Sequence, residues 1–559
     1  MITEVASTRT VPRGRGHSTI VIALVAALTS VGCVEDDCAD NQTCIGGAGP
    51  DVPTDAGPGA TPDGDVDVDP DTGKPRDKSF SFEPISPPPR LMHDGSLRIG
   101  LSLKRGSGQQ EDVTIAVTSL PTGVTVEPLT IPGASSTGEL VVRATSAAKQ
   151  GPFQATVAGS AASVKASTKL DLFVRGKPGE LDTTFGTDGR ALSVLGAGVT
   201  PPRGLVVTAS DQILVRGPCG TRTCVSRLTR DGKPDTTYGV AGATSIGIAD
   251  SSSAVLDSAG RLVIGGASAS LPVVGRLLAG GQVDTAFGVA GGVTGALNDA
   301  ATQYNPASVT SAVAVGAGDV VYAAFTAGTY IGLRKLSSAG SSESSFGTSG
   351  VTHYRWSTAT TFLNGLVIRG GAVAFAGTWQ SSASPATHGF GIAQRLQTNG
   401  IADSGYATGG AMTFARPSAV LPSARLLQLP DGRRITAFLE GTSCVLVMFS
   451  ADGSTLDSSF GQSGRATMPD SCSLLGGVFD LQLQADGKVL AAIRLQGIDR
   501  LRRLMPNGTV DTTFAGGAFE DTPFNGSSTY SVAVQSDGRI LLGSANSADS
   551  TSYVTRIWD

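Results

Sequence analysis

One phrase is written seven times along this chain, and it limits the possible folds more than any single residue does. An acidic residue, two small or polar residues, an aromatic ring and a glycine stand together at Asp182–Gly186, Asp235–Gly239, Asp284–Gly288, Glu343–Gly347 and Asp457–Gly461. Alanine replaces the glycine at Asp403–Ala407 and Asp511–Ala515. Self-similarity at a fixed period marks a repeat architecture, in which each unit buries its apolar face against its neighbours. Within a unit, two apolar runs flank a turn such as Asp431-Gly432, Asp486-Gly487 or Asp537-Gly538. Asp-Gly in that setting predicts a hairpin with a type I′ turn, which needs positive φ at both central residues. A third run carries Arg-Leu or a relative (Arg227-Leu228, Arg276-Leu277, Lys335-Leu336, Arg395-Leu396, Arg503-Leu504), followed by a second glycine turn and the phrase. Four short strands per unit of roughly fifty residues predict propeller blades.

Hairpins begin near Gly204, Ser253, Ser311, Gly365, Arg425, Phe479 and Ser531. The strand Tyr553 to Asp559 has no phrase after it, whereas Asp182–Gly186 stands before the first hairpin. One unit split between both ends predicts a closed ring of seven, which also covers an open sheet edge. The expected fold class is all-β: a seven-bladed β-propeller over residues 179–559, preceded by a small β-sandwich, whose immunoglobulin-like character is what a resemblance given below implies, and a disordered acidic linker.

The repeated Asp is not expected to bind calcium. One carboxylate per unit around a ring cannot gather the six to eight oxygens that ion takes. It is expected to accept backbone N–H groups in a turn, with the aromatic packed between units and the glycine supplying positive φ. The repeated Arg is left with two roles, bonding turn carbonyls or pairing with the Asp.

Ahead of the repeat lie three further segments. Arg9, Arg13 and Arg15 precede the apolar run Ile20–Leu28 and the small residues Ser30-Val31-Gly32 before Cys33. That run is too short to span a bilayer and has the layout of a secretory signal over residues 1–32. Residues 33–78 are rich in Asp, Gly, Pro and Thr, and such a segment is expected to stay extended and disordered. Its stretch Asp63 to Asp71 alternates carboxylates, but Pro70 interrupts it and no bidentate Glu follows, so it reads as a solvated spacer. Residues 79–176 show period-two runs at Leu97–Leu103 and Val113–Val117 and a short continuous run at Leu140–Val142, which predicts a small sandwich.

Cysteine use agrees with export. Of seven Cys, Cys33 closes the signal layout and six remain, an even number for an oxidising compartment. Cys219 with Cys224 and Cys38 with Cys44 are local candidates, leaving Cys444 and Cys472 at longer range. No Cys-x-x-Cys pair is present to suggest zinc.

Four resemblances follow from these residues. Ser30-Val31-Gly32-Cys33 resembles a bacterial lipoprotein lipobox, which implies cleavage before Cys33, lipid on its sulfur and a membrane anchor without a transmembrane helix. Val34 after the Cys resembles the outer-membrane sorting pattern of enteric lipoproteins. Leu120 to Pro132 resembles bacterial immunoglobulin-like domains of surface proteins. The Arg-Leu, Asp-Gly and Asp-x-x-Phe-Gly line of residues 179–559 is similar to the bacterial delta-60 repeat, a β-propeller family of exported proteins that brings no catalytic residues with it.

Function is less legible. Removing three Arg and one Glu with the signal takes the formal charge from −5 to −7, and no basic cluster remains to neutralise phosphates, so nucleic acid is not an expected partner. His353 and His388 are read as isolated loop histidines, and no nucleophile elbow, phosphate loop or dinucleotide fingerprint is present. No catalytic residue, metal or cofactor is therefore expected. The inserts Asn298–Ser308, Trp379–Phe390 and Phe519–Tyr530 interrupt the repeat, and Tyr304, Trp379, His388 and Tyr530 are the candidate contacts for a glycan or peptide. The expected function is an envelope lipoprotein whose propeller is a non-catalytic platform for a protein or polysaccharide. A propeller hydrolase or lyase with a central-channel site is the alternative, and a purely structural spacer is another.

Overall fold

A computed structural model describes residues 69–559, apart from residue 163 and the segments 196–201, 269–270, 295–308, 328, 357–359, 381–387, 417–419, 423–425, 472–477, 496–497, 521–527 and 547–550. Cys33, Cys38 and Cys44, the signal and most of the tether fall outside these residues, as do Tyr304, Cys472 and the Tyr530 side chain. The described chain is all-β, with only two short 3-10 turns besides strands.

Residues 80–175 build two sheets. One joins Phe80–Phe82, Ser96–Arg105, Thr137–Ala144 and Val124–Val126; the other joins Arg90–Met92, Val164–Arg175, Gly151–Ala161, Val113–Thr118 and Leu129–Ile131. Alternation puts Ile99, Leu101 and Leu103 of the first sheet and Val113, Ile115, Leu170 and Leu172 of the second into one shared core. The run Leu140–Val142 alternates too: Leu140 and Val142 are buried while Val141 is half-buried. Chain crossing between the sheets occurs at Glu127-Pro128, between Val124–Val126 and Leu129–Ile131. Pro128 lacks the N–H that would continue a ladder there.

From residue 190 onward the described strands form seven antiparallel sheets. Six follow in chain order. They run from Gly204 to Ile246, Ala249 to Thr294, Val309 to Tyr354, Thr360 to Arg416, Val420 to Ser471 and Val478 to Glu520. The seventh takes Ser528–Val534, Ile540–Ala545 and Ser552–Ile557 from one end of this region and Arg190–Leu192 from the other, paired as Arg190↔Thr555 and Leu192↔Tyr553. The first strand of each sheet is contacted by the sheet before it, and Gly204–Val207 of the first is contacted in this way by Ser528–Val534 of the seventh. Buried clusters sit between consecutive sheets, as where Tyr238 and Ile246 meet Ile264 and Val273.

The hairpin turns differ from the expected type. Gly432, Gly487 and Gly538 have φ of +96°, +84° and +89°, but the Asp before each keeps negative φ. Gly432 N–H donates to Leu429 O and Leu429 N–H to Arg433 O, enclosing a three-residue loop. This is a type I turn closed by a left-handed glycine, not type I′, so only one position needs the glycine.

Candidate functional site

The repeated phrase forms the joint between one sheet and the next. In the second sheet, Arg276 Nε donates to Asp284 Oδ2 at 2.7 Å, and its guanidinium lies 4.4 Å from the Phe287 ring centroid. Its Nη1 crosses to the next sheet and donates to Ser338 O at 2.6 Å, while Gly288 N–H donates to Ala339 O of the same turn. The same set recurs as Arg227, Asp235 and Tyr238 on Ala279 O, and as Arg556, Asp182 and Phe185 on Arg230 O. Both roles left open for the Arg are thus filled at once. The other oxygen of the Asp accepts the N–H two residues on, as Thr237 N–H and Thr237 Oγ1–H do at Asp235 Oδ1.

The turn glycine of the next sheet is required by this joint. Gly281 has φ +91°, and a Cβ on it would come within 3.0 Å of the Tyr238 ring. Gly232 meets Phe185 and Gly453 meets Tyr406 in the same manner. All seven aromatics are 0 or 1 % exposed, so their packing role is inter-sheet.

The third sheet carries Lys335 and Glu343 instead, and Lys335 Nζ donates to Gln397 O at 2.9 Å; two further units hold their carboxylate by other residues. Met448 occupies the Arg position of the fifth sheet, and Asp457 takes its cation from the hairpin, through Arg433 Nη1 at 2.6 Å. In the fourth sheet Asp403 accepts from Gln394 Nε2 at 2.6 Å, while Arg434 of the following sheet lies over Tyr406 at 4.7 Å. The carboxylate keeps a donor in each case. The Thr237 hydroxyl and amide, with Arg227, hold Asp235 below the usual carboxylate range, and Arg433 does the same at Asp457. Burial pushes Tyr238 up to about 12, so its phenol stays neutral.

The candidate ligand residues lie elsewhere than expected. Trp379 and His388 are not on a loop face; they sit on the strands Ala372–Gln380 and His388–Leu396 and are each 8 % exposed. The sequence misled because the hairpin linking them is longer than in other units, and the extra length extends the strands. Trp379 stacks on Trp356 at 6.3 Å, over Gly377, Gly389 and Gly391, where any Cβ would strike an indole. Absent side chains on those glycines make room for two large rings, which is packing. His388 Nδ1 finds no hydrogen-bond partner among the described residues. His353 is likewise on a strand, Val351–Tyr354. Cys219 and Cys224 are joined, with Cα atoms 5.6 Å apart, and Cys444 is disulfide-bonded.

Sequence reasoning missed the clefts. One of about 480 Å³ opens between the first and second sheets and is lined by Ser210, Gln212, Leu214, Arg227, Tyr238 and Leu262. Gln212 and Arg227 are already committed to Asp235 there, and the Tyr238 hydroxyl finds no partner among the described residues. A second, of about 610 Å³, lies beside Arg190–Leu195 and Ser226–Leu228. Among the described residues no three His, Cys, Asp or Glu side chains converge as a metal site would require.

No family model matches the chain, and no curated protein matches it. Among solved structures, a quinoprotein alcohol dehydrogenase-like protein from Bacteroides thetaiotaomicron aligns at 9% identity over 79% of this chain and 96% of its own, with a TM-score of 0.25. Prolyl oligopeptidase B from Galerina marginata aligns at 9% identity over 78% of this chain and 56% of its own, TM-score 0.35. The Nup170 N-terminal domain in complex with Nup53 from Chaetomium thermophilum aligns at 10% identity over 68% and 64%, TM-score 0.32. This chain spans little more than half the length of the Galerina enzyme. Likenesses this distant leave the chain's own geometry to define its class, an all-β repeat protein in which Arg–Asp–aromatic joints recur in the first, second, sixth and seventh sheets.

Proposed function

We propose that this chain is an exported, lipid-anchored envelope protein: a signal over 1–32, a lipidated Cys33 with a spacer to residue 78, an immunoglobulin-like sandwich over 79–176 and a seven-bladed β-propeller over 179–559. The propeller is a non-catalytic platform for a protein or polysaccharide. The observation that carries this reading is how the repeat spends its residues. The Arg, Asp, aromatic and glycine of the second sheet are all committed to holding it to the third, and Arg, Asp and aromatic are committed alike in the first, sixth and seventh sheets. Ligand contact then falls to the residues that vary between units, such as Ser210 of the first cleft and Leu195 of the second.

Globomycin treatment and Cys33→Ala, followed by membrane fractionation, test the anchor. Accumulated precursor and loss of membrane association in the variant are expected; unchanged processing and location would sink it. For the platform, the purified chain is tested on a glycan array and by sedimentation with peptidoglycan, with released sugars measured in the same reactions. Retention without release supports a binding role, whereas sustained release of fragments would refute it.

A further inference from the structure

The seventh unit has a joint like the others, but its turn is assembled from two remote segments. In the first unit the turn Thr229–Lys233 is closed by Thr229 N–H to Lys233 O and Gly232 N–H to Thr229 O, with Gly232 at φ +81°. At the seam, Trp558 N–H donates to Glu180 O and Gly179 N–H to Trp558 O, with Gly179 at φ +83°. The neighbouring phrase then uses this composite turn as it would a continuous one. Ala515 N–H donates to Pro178 O, as Gly186 N–H does to Asp231 O. Asp559 Oδ1 accepts Arg503 Nη1 at 2.6 Å, where other units offer a turn carbonyl.

The two-sheet domain grips both halves of this seam. The Gln150 amide is 8 % exposed. Its Oε1 accepts Thr183 N–H and Trp558 Nε1–H, each at 2.9 Å, and its Nε2 donates to Leu181 O at 3.0 Å. Phe173 meets the Trp558 ring edge-on at 6.0 Å; Arg175 lies 5.3 Å over that ring and donates to Asp559 O. His93 ties Ala148 O to Glu180 Oε2 at 2.8 and 2.7 Å. A Cβ at Gly176 would come within 2.4 Å of Trp558, so the linker passes against the indole.

We propose that the two-sheet domain is a clamp that keeps the ring shut: its Gln150, Phe173 and Arg175 hold together the two segments that complete the seventh sheet, and loosening it opens the ring at that seam. A plain spacer would need no side chain bonded to both halves.

Hydrogen exchange on the full chain tests this, with Gln150→Ala and, separately, the milder Phe173→Leu in case the first does not fold. Neither residue belongs to a ring strand. Exchange at Arg190–Leu192 and Ser552–Ile557 is expected to speed up roughly ten-fold or more in Gln150→Ala, since three hydrogen bonds are lost there, while Val321–Ala327 across the ring keeps its protection. Unchanged exchange at the seam, or equal acceleration in every sheet, overturns the proposal. Leu192→Cys with Tyr553→Cys, a directly paired position, supplies a covalent closure whose formation is expected to restore protection in Gln150→Ala. A formed bond that leaves the seam as fast as before also overturns it.

Discussion

Removing the cation from a single joint should show how much each carries. In Arg276→Met the apolar bulk over Phe287 is kept, but Asp284 loses its partner. The two side chains are 3 and 8 % exposed, so water can neither screen the pair now nor solvate the carboxylate afterwards. Breaking a buried pair on one side costs about 3–5 kcal/mol. Asp257, 3.8 Å from the same guanidinium, retains Arg261 at 2.6 Å and so adds little to that cost. The reaction of the whole ring is read by urea denaturation followed with intrinsic fluorescence. Arg276→Met is expected to lose about 3–5 kcal/mol, and Arg276→Met with Asp284→Leu to regain most of it, because a well-packed apolar pair is often neutral against an ion pair. Arg98→Ala, which breaks an exposed pair with Glu139, should change nothing measurable. A loss below about 1 kcal/mol in Arg276→Met would refute the assignment of Arg276 and Asp284 as the element that holds the second sheet to the third.

Ala407 and Ala515 stand in left-handed backbone at φ 49° and 47°, where the other units have glycine; Ala407→Gly and Ala515→Gly should each stabilise by about 1 kcal/mol in thermal melts. Gly281→Ala should cost about 2 kcal/mol or more, since its Cβ would meet Tyr238 and Gly239 N at positive φ; a neutral result would deny the close approach. Asp235 and Asp457 are held below the carboxylate value of the unfolded chain. Their contribution is therefore complete above about pH 4–5 and is lost as pH falls through their folded values. Urea midpoints should be flat from about pH 5 to 7 and drop below about pH 4, with a shallower drop in Asp235→Asn.

Strands, glycine turns and the inter-sheet place of the aromatics were legible because each leaves a local mark: alternation, positive φ, or a large apolar side chain at a fixed register. The Arg was not, because its second partner lies about fifty to sixty residues on, as Ser338 O does from Arg276 at a separation of 62, and no local pattern reports a contact of that kind. Exchange of Arg for Met448 with Arg433 was hidden for the same reason: the carboxylate specifies a donor, and the chain can supply it from either strand. Trp379 and His388 were misplaced because an insert reads alike whether it lengthens a loop or the strands beside it; only the glycines opposite, at 377, 389 and 391, carry the clue. The type I′ reading failed because Asp-Gly also suits a three-residue loop, and the hydrogen-bond register that separates the two is not written in the dipeptide. The clefts depend on which side chains are spent elsewhere, which only the assembled ring decides.

The split seventh unit also sets a timetable. Asp182 waits for Arg556, 374 residues later, and at synthesis rates of about 5–20 residues per second that is a delay of roughly 20–75 s. Throughout it, the segment around Arg190–Leu192 has no sheet to join, while the six sheets that follow emerge and pack in turn. The two-sheet domain is complete in sequence by Arg175, so the Gln150 bonds to Leu181 and Thr183 join two segments that both precede the long wait. A ribosome stalled in the sixth sheet would thus leave a protein short of one edge, and that edge is the first place to look for aggregation or proteolysis during its manufacture.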